Sequence, residues 1–207
     1  MQLAMHRWVA VAALATVGAV QAAPVDFVAQ GSTYQYKVLG TDLWSGGGWA
    51  PGVGLSTFDN FAAANPISGW ATGTAAFGNA GGAVTAWAAN TDLALYKTFE
   101  VSGMVTGDLK LNVASDNGFL IFLNDQLLAQ ANAEGFTSYW EYTFTLSPGS
   151  AYINSGTNVL KILAEDHGGL TFFDMKLSGN VVPSPGSLAL AGLALLGLAA
   201  AGRRGAR

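Results

Sequence analysis

The side chains with chemistry to offer lie in a few short stretches. Ser115-Asp116-Asn117-Gly118 and Glu165-Asp166-His167-Gly168-Gly169 each set acidic or amide side chains beside glycine. Calcium takes hard oxygen ligands, six or more of them, from neighbouring loops. Asp116, Asn117, Glu165 and Asp166 are therefore candidate calcium ligands, and Ca2+ is the one cofactor the sequence suggests. Either pair alone supplies too few oxygens, so a single site requires both stretches at the same end of the fold. The competing reading is that they are turn residues, since Asp and Asn bond their own backbone and Gly accepts a positive φ. Trp44-Ser45-Gly46-Gly47-Gly48-Trp49 is a third stretch. Aromatic faces suit the apolar faces of pyranose rings, which makes Trp44 and Trp49 candidate sugar contacts, with His167 as a third. The alternative is that both indoles fold back as a lid over the core, because large aromatics are usually buried for their apolar area.

Other chemistries are poorly served. His6 lies in the N-terminal segment expected to be cleaved away, so His167 stands alone in the body and no multi-histidine metal site is available. With no cysteine there is no disulfide, thiolate zinc site or cysteine nucleophile. No Gly-x-Ser-x-Gly elbow, His-Glu-x-x-His helix or phosphate-binding glycine loop occurs. Glu141 with Asp174 or Glu100 is a nominal carboxylate pair for glycoside hydrolysis, but each falls on a strand face opposite an apolar one, where a solvent-facing carboxylate is ordinary. No catalytic residue is assigned, and the expectation is a protein that is not an enzyme.

The elements that would carry these residues are short strands. Tyr34 to Leu39, Leu93 to Val101, Leu109 to Ala114 and Tyr139 to Leu146 alternate with period two, and Phe119 to Leu123 is a continuous apolar run. Phe27 to Ala29, Leu127 to Ala129, Val159 to Ala164 and Thr171 to Leu177 complete the set. Asn124-Asp125 predicts a tight type I′ hairpin turn, and Ser147-Pro148-Gly149 a break. Residues 58–82 read as a long connection with one helical turn near Asn60 to Ala64. Glu165 to Gly169 reads as an exposed hairpin tip. Many short strands at near-regular spacing, punctuated by Gly, Pro and Asn, predict a mainly β protein, an antiparallel β-sandwich spanning residues 23–180.

All 13 acidic residues lie between Pro24 and Val182, against the five lysines Lys37, Lys97, Lys110, Lys161 and Lys176. An acidic body disfavours nucleic acid, which needs a basic surface to displace phosphate counterions. Hydrophobic residues make up 51% of the chain, with much of the excess in two terminal runs. Residues 1–22 have the plan of a signal peptide: Arg7, an apolar run from Trp8 to Val20, and cleavage by signal peptidase expected after Ala22. Thirteen residues as a helix reach about 20 Å, against roughly 30 Å of hydrocarbon. At the other end, Pro183-Ser184-Pro185-Gly186 precedes an apolar run from Ser187 to Gly202 and then Arg203, Arg204 and Arg207. This predicts a short C-terminal transmembrane helix with its arginines on the cytoplasmic side.

Val182-Pro183-Ser184-Pro185, the apolar run and the arginine cluster together resemble the PEP-CTERM sorting tail of bacterial exported proteins, with Ser184 where a Glu is usual. The resemblance covers residues 181–207. It implies export, transient retention in the inner membrane of a Gram-negative-type bacterium, processing by an exosortase, and delivery to the cell surface or extracellular matrix. The body is similar to the galactose-binding-like jelly roll. The pieces that carry this are Trp70-Ala71-Thr72-Gly73, Tyr96 to Val101, Ser115 to Phe119 through Phe122-Leu123-Asn124, and Gly156 to Leu160. The function expected is a non-catalytic carbohydrate-binding module for exopolysaccharide, with a structural matrix protein as the alternative.

Overall fold

The structure, a computed structural model, describes residues 21–132, 135–136 and 138–184. The signal-peptide run, Pro185, the apolar tail and Arg203 and Arg204 lie outside the described residues, and Ala22 precedes the first strand. Among the described residues no helix is long and apolar enough to cross a membrane.

In chain order the strands are β1 (Ala23–Val28), β2 (Thr33–Leu39), β3 (Ala71–Thr74), β4 (Phe77–Gly78), β5 (Thr85–Ala86), β6 (Asp92–Val101), β7 (Met104–Asp116), β8 (Gly118–Leu123), β9 (Gln126–Ala131), β10 (Tyr142–Leu146), β11 (Gly156–Glu165) and β12 (Phe172–Val182), with one helix, α1 (Leu55–Ala64). They form a β-sandwich of two sheets. The first runs β10-β7-β12-β4-β5, with β1 also on β12; the second runs β3-β2-β6-β11-β8-β9. All pairings are antiparallel except β4 with β5, which is parallel. This departs from the wholly antiparallel expectation, because a loop rather than a hairpin joins these two-residue strands.

The sandwich core is built from alternate residues of facing strands. Leu109, Leu111 and Val113 of β7 and Phe173, Met175 and Leu177 of β12 meet Leu93 and Leu95 of β6, Phe119 and Ile121 of β8 and Ile162 of β11. The second sheet is buried on its other face as well, which explains the unbroken apolar run of β8. There Leu39, Ala94, Leu120, Phe122 and Leu163 pack against Leu43, Phe58 and Trp70. Phe58 comes from α1, longer than the single turn expected near Asn60. Leu55, Phe58, Phe61 and Ala62 lie on one helical face, and the Thr57 hydroxyl accepts the Gly54 N–H at 3.1 Å to open the helix. Its stability comes from packing on the sheet, which no local pattern reports.

Two crossings of the chain between sheets position the site. β7 belongs to the first sheet and β8 to the second, so Ser115 to Gly118 is a sheet-to-sheet crossing and not the surface turn expected. β11 and β12 likewise lie in different sheets, so Glu165 to Gly169 is no hairpin tip. Phe172 pairs with Asp116 and Glu165 with Gly118, which places both crossings at one end of the sandwich. Asn124 and Asp125 have φ of 50° and 65° and make the predicted two-residue turn between β8 and β9. β10 starts at Tyr142 rather than Tyr139. Trp140 has φ 61°, and Tyr139 turns edge-on to Phe172 on the outside of the first sheet.

Phe58 is fully buried where α1 meets the second sheet. Phe58→Ala is expected to lower the unfolding free energy by about 3–5 kcal/mol in urea denaturation followed by tryptophan fluorescence. A loss below about 1 kcal/mol would mean the helix does not pack as described.

Candidate functional site

At the end where the crossings meet, backbone N–H groups leave the strand ladders and need acceptors. Carboxylates supply most of them. Asp92, the first residue of β6, takes the N–H of Leu43 at 2.6 Å on one oxygen and that of Asp166 at 3.0 Å on the other. Glu165 takes the N–H of Gly118 at 2.9 Å and faces Nδ1 of His167 at 3.1 Å. Its carbonyl accepts the Asn117 N–H at 2.9 Å, and the Asn117 side chain returns a bond to the His167 N–H at 3.1 Å. The two predicted stretches are thus tied directly to each other. Gly118 is required here, because a Cβ would lie 2.7 Å from Glu165 Oε1 and 2.8 Å from the Ala131 carbonyl.

Burial of these acids has an electrostatic cost. Asp92, Asp116, Glu165 and Asp166 are all buried, and His167 lies beside them, 3.1 Å from Glu165. Burial is the largest influence on each carboxyl and raises its pKa: Asp92 to about 6 despite its two N–H donors, and Asp116, Glu165 and Asp166 above the usual carboxylate range. The charge on Asp166 also raises the pKa of Asp116.

Donor by donor, the predicted calcium ligands separate. Glu165 has both oxygens engaged, by Gly118 and His167. Asp166 accepts the N–H groups of Asn90 at 2.6 Å and Gly168 at 3.2 Å on Oδ2, while its buried Oδ1 has no partner. Asp116 accepts the Phe136 N–H. An orphaned, buried carboxylate oxygen beside a second carboxylate fits a cation. Among the described residues, however, no three acidic or histidine side chains converge as a metal set, so Asp116 and Asp166 would need amide, backbone or water oxygens to complete the shell.

The tryptophans also part company. Trp44 and Trp49 face each other across an isolated antiparallel bridge. Trp49 donates its indole N–H to the Ala131 carbonyl at 3.1 Å and packs on the cluster beneath α1, which is the lid role. Trp44 is half-buried and stacks on His167, with ring centroids 4.2 Å apart and planes 17° apart, leaving at most its other face to a ligand. His167 is half-buried rather than at an exposed tip.

Next to this pair opens a pocket of about 320 Å³ whose polar lining includes Asp42, Asn90, Thr91, Asp92, Asp166 and His167. Asp42 is exposed on its rim and holds the Trp44 N–H at 2.8 Å. Asp42, Asn90 and Asp92 escaped the sequence reading. For Asn90 and Asp92 the available signal was the polar run Asn90-Thr91-Asp92 that opens the apolar β6; Asp42 carried none.

The nominal carboxylate pair behaves differently. Glu100 is exposed near the far end of β6 and accepts the Thr157 hydroxyl; Glu141 accepts the Ser115 N–H at 3.1 Å. Asp174 is buried, contrary to the solvent-facing expectation, and the Gly31 N–H donates to its carboxylate at 3.3 Å. Burial raises its pKa to about 6.

No family model matches the chain, and no curated protein matches it. Among solved structures, a β-glucuronidase from an uncultured Clostridium sp. overlaps with a TM-score of 0.46 at 8% identity, over 79% of this chain. This chain spans only 29% of that enzyme's length. A PA14 sugar-binding domain from an RTX adhesin overlaps with a TM-score of 0.38 at 21% identity, over 72% of this chain and 90% of the domain. The PA14 domain of the MpAFP antifreeze protein gives 0.39 at 20%, over 72% and 81%. Overlaps this loose carry no argument about ligand or activity.

Asp174 yields a pH prediction. A carboxyl whose pKa is raised on folding binds its proton more tightly in the folded state, so stability falls as pH rises from the ordinary value of 3.8 through about 6. In Asp174→Asn the remaining oxygen can still accept the Gly31 and Met175 N–H groups, and the titration is gone. The drop in Tm across that window, measured in chelator, is expected to be smaller in the variant; an equal drop would refute the assignment.

Proposed function

We propose that this protein is an exported, surface-retained module of galactose-binding-like jelly-roll type that binds carbohydrate without catalysis, at the pocket beside Trp44 and His167. The observation that carries this reading is the pocket itself, a monosaccharide-sized opening lined by side chains that accept and donate hydrogen bonds, among them His167, whose ring stacks on Trp44. Sugar hydroxyls are bound by carboxylates and amides of this kind, and aromatic surface takes up the apolar ring face. A calcium ion held by Asp116 and Asp166, completed by neighbouring oxygens, would relieve the mutual repulsion of the buried acids. The matrix exopolysaccharide is the proposed ligand class. Signal peptidase would remove residues 1–22, and an exosortase would act on the tail beginning at Val182 after the short apolar helix has held the protein in the inner membrane.

Affinity gels cast with matrix polysaccharides, with calcium or with chelator, test the binding. Retardation by at least one acidic or neutral polysaccharide is expected, and Asp42→Ala is expected to weaken it about tenfold or more, the worth of a hydrogen bond to a charged group. No retardation in any gel sinks the reading.

The metal is tested separately. Calcium is expected to raise Tm, more at about pH 7 than at about pH 5, because protons compete for carboxylates whose pKa burial has raised. Asp166→Asn should abolish the gain; an unchanged gain in that variant would remove Asp166 from the site. Deleting residues 183–207 is expected to turn a membrane-retained or processed protein into a freely released one on cell fractionation, and no change would reject the tail reading.

A further inference from the structure

The sandwich has a second, chemically opposite end. Met104 opens β7 and pairs with Val182, while Asp116 closes β7 and pairs with Phe172. Along β12, ten strand steps of about 3.3 Å separate Phe172 from Val182, the extra residues of β7 being taken up by a bulge between Thr106 and Lys110, so the far end lies about 33 Å from the acidic crossings. There Met104, Val105, Ile153, Val182 and Pro183 line an apolar groove of about 630 Å³. In a body as acidic as this one, none of the residues lining that groove is charged. Met104 is 65% exposed, a large apolar side chain left in water at its mouth.

Both ends of the described chain lie at this place. Ala23, the first residue of β1, pairs with Val181, and β12 runs out of the groove through Pro183 and Ser184. The apolar run begins at Ser187, three residue steps beyond Ser184, so at most about 11 Å of chain joins the two. The headgroup layer on one side of a bilayer is itself about 5–8 Å thick. A bilayer that holds Ser187 to Gly202 therefore meets this end of the sandwich, and a groove without charge is what such contact tolerates.

We infer that the groove end is a membrane-seating surface, with Met104, Val182 and Pro183 placed at the headgroup boundary of the lipid bilayer and the acidic pocket held about 33 Å outward. The bilayer is favoured over a soluble protein partner by the continuity of the groove with the apolar run. This rests on the reading of Ser187 to Gly202 as a membrane-held segment. It adds that the folded body itself contacts lipid, and that the pocket faces away from the cell.

The chain has no cysteine, so a single introduced thiol labels cleanly. Met104→Cys and Leu170→Cys, the latter an exposed apolar position at the pocket end, are made in the full chain, labelled with the fluorophore NBD, and reconstituted with vesicles of phosphatidylethanolamine and phosphatidylglycerol. The probe at 104 is expected to shift to the blue and to be quenched by dithionite about fivefold or more slowly on vesicles, while the probe at 170 is unchanged. Equal quenching at both positions in protein that floats with the vesicles overturns the seating surface and leaves the anchor standing. Protein that fails to float overturns both. A probe at 104 that is already protected without vesicles, and is freed by deleting residues 187–207, assigns the groove to the chain's own tail and overturns the proposal.

Discussion

Two crossings of the chain from sheet to sheet, at Ser115 to Gly118 and at Glu165 to Gly169, are the constraint on which the functional end depends. Each crossing takes backbone N–H groups out of a strand ladder inside the protein, and buried N–H groups require acceptors. Asp92, Glu165 and Asp166 meet that requirement, so the acids are first of all part of the architecture. Their charge is the by-product, and it leaves Asp166 with a buried oxygen that has no partner. A structural need for acceptors and an affinity for cations thus arise from the same residues, which is why acidic side chains gather where the crossings meet.

Double burial of the second sheet is the next consequence. Because α1 and the Trp44–Trp49 loop cover its outer face, the loop is held against the sheet rather than free in solvent. Trp49 anchors it through Ala131, and Trp44 is thereby delivered to His167. The aromatic pair beside the pocket is a product of how the lid closes, and the glycines between the two tryptophans allow the loop to fold back tightly. Gly46 and Gly47, at φ of 62° and 97°, adopt the left-handed conformations that this return needs.

The long strands β7 and β12 give the molecule an axis with unlike poles. One pole gathers the acids, the half-buried aromatics and the open pocket; the other gathers an uncharged groove and both ends of the described chain. Antiparallel pairing of β7 with β12 runs from one pole to the other, with a single irregularity between Ser178 and Asn180, so the two poles are set apart by the length of these strands.

Several features could be read from the chain without coordinates. Period-two alternation at Leu93 to Val101 and Leu109 to Ala114, and the Asn124-Asp125 turn, report local backbone preference and one-sided burial, which adjacent residues encode. The chemical types at Asp116, Asn117, Glu165, Asp166 and Trp44 were equally plain. What only the tertiary structure decided was where those residues sit. Asp-Asn-Gly is turn chemistry by local rules, and whether the strands on either side belong to one sheet or two depends on pairing with β11 and β12, tens of residues away. The same holds for α1, whose stability comes from the sheet beneath it, and for Asp42, Asn90 and Asp92, polar residues that become pocket walls only when β6 lies beside β11. Local sequence determines which groups are available; long-range strand pairing decides which of them meet, because that pairing is a cooperative choice of the whole chain.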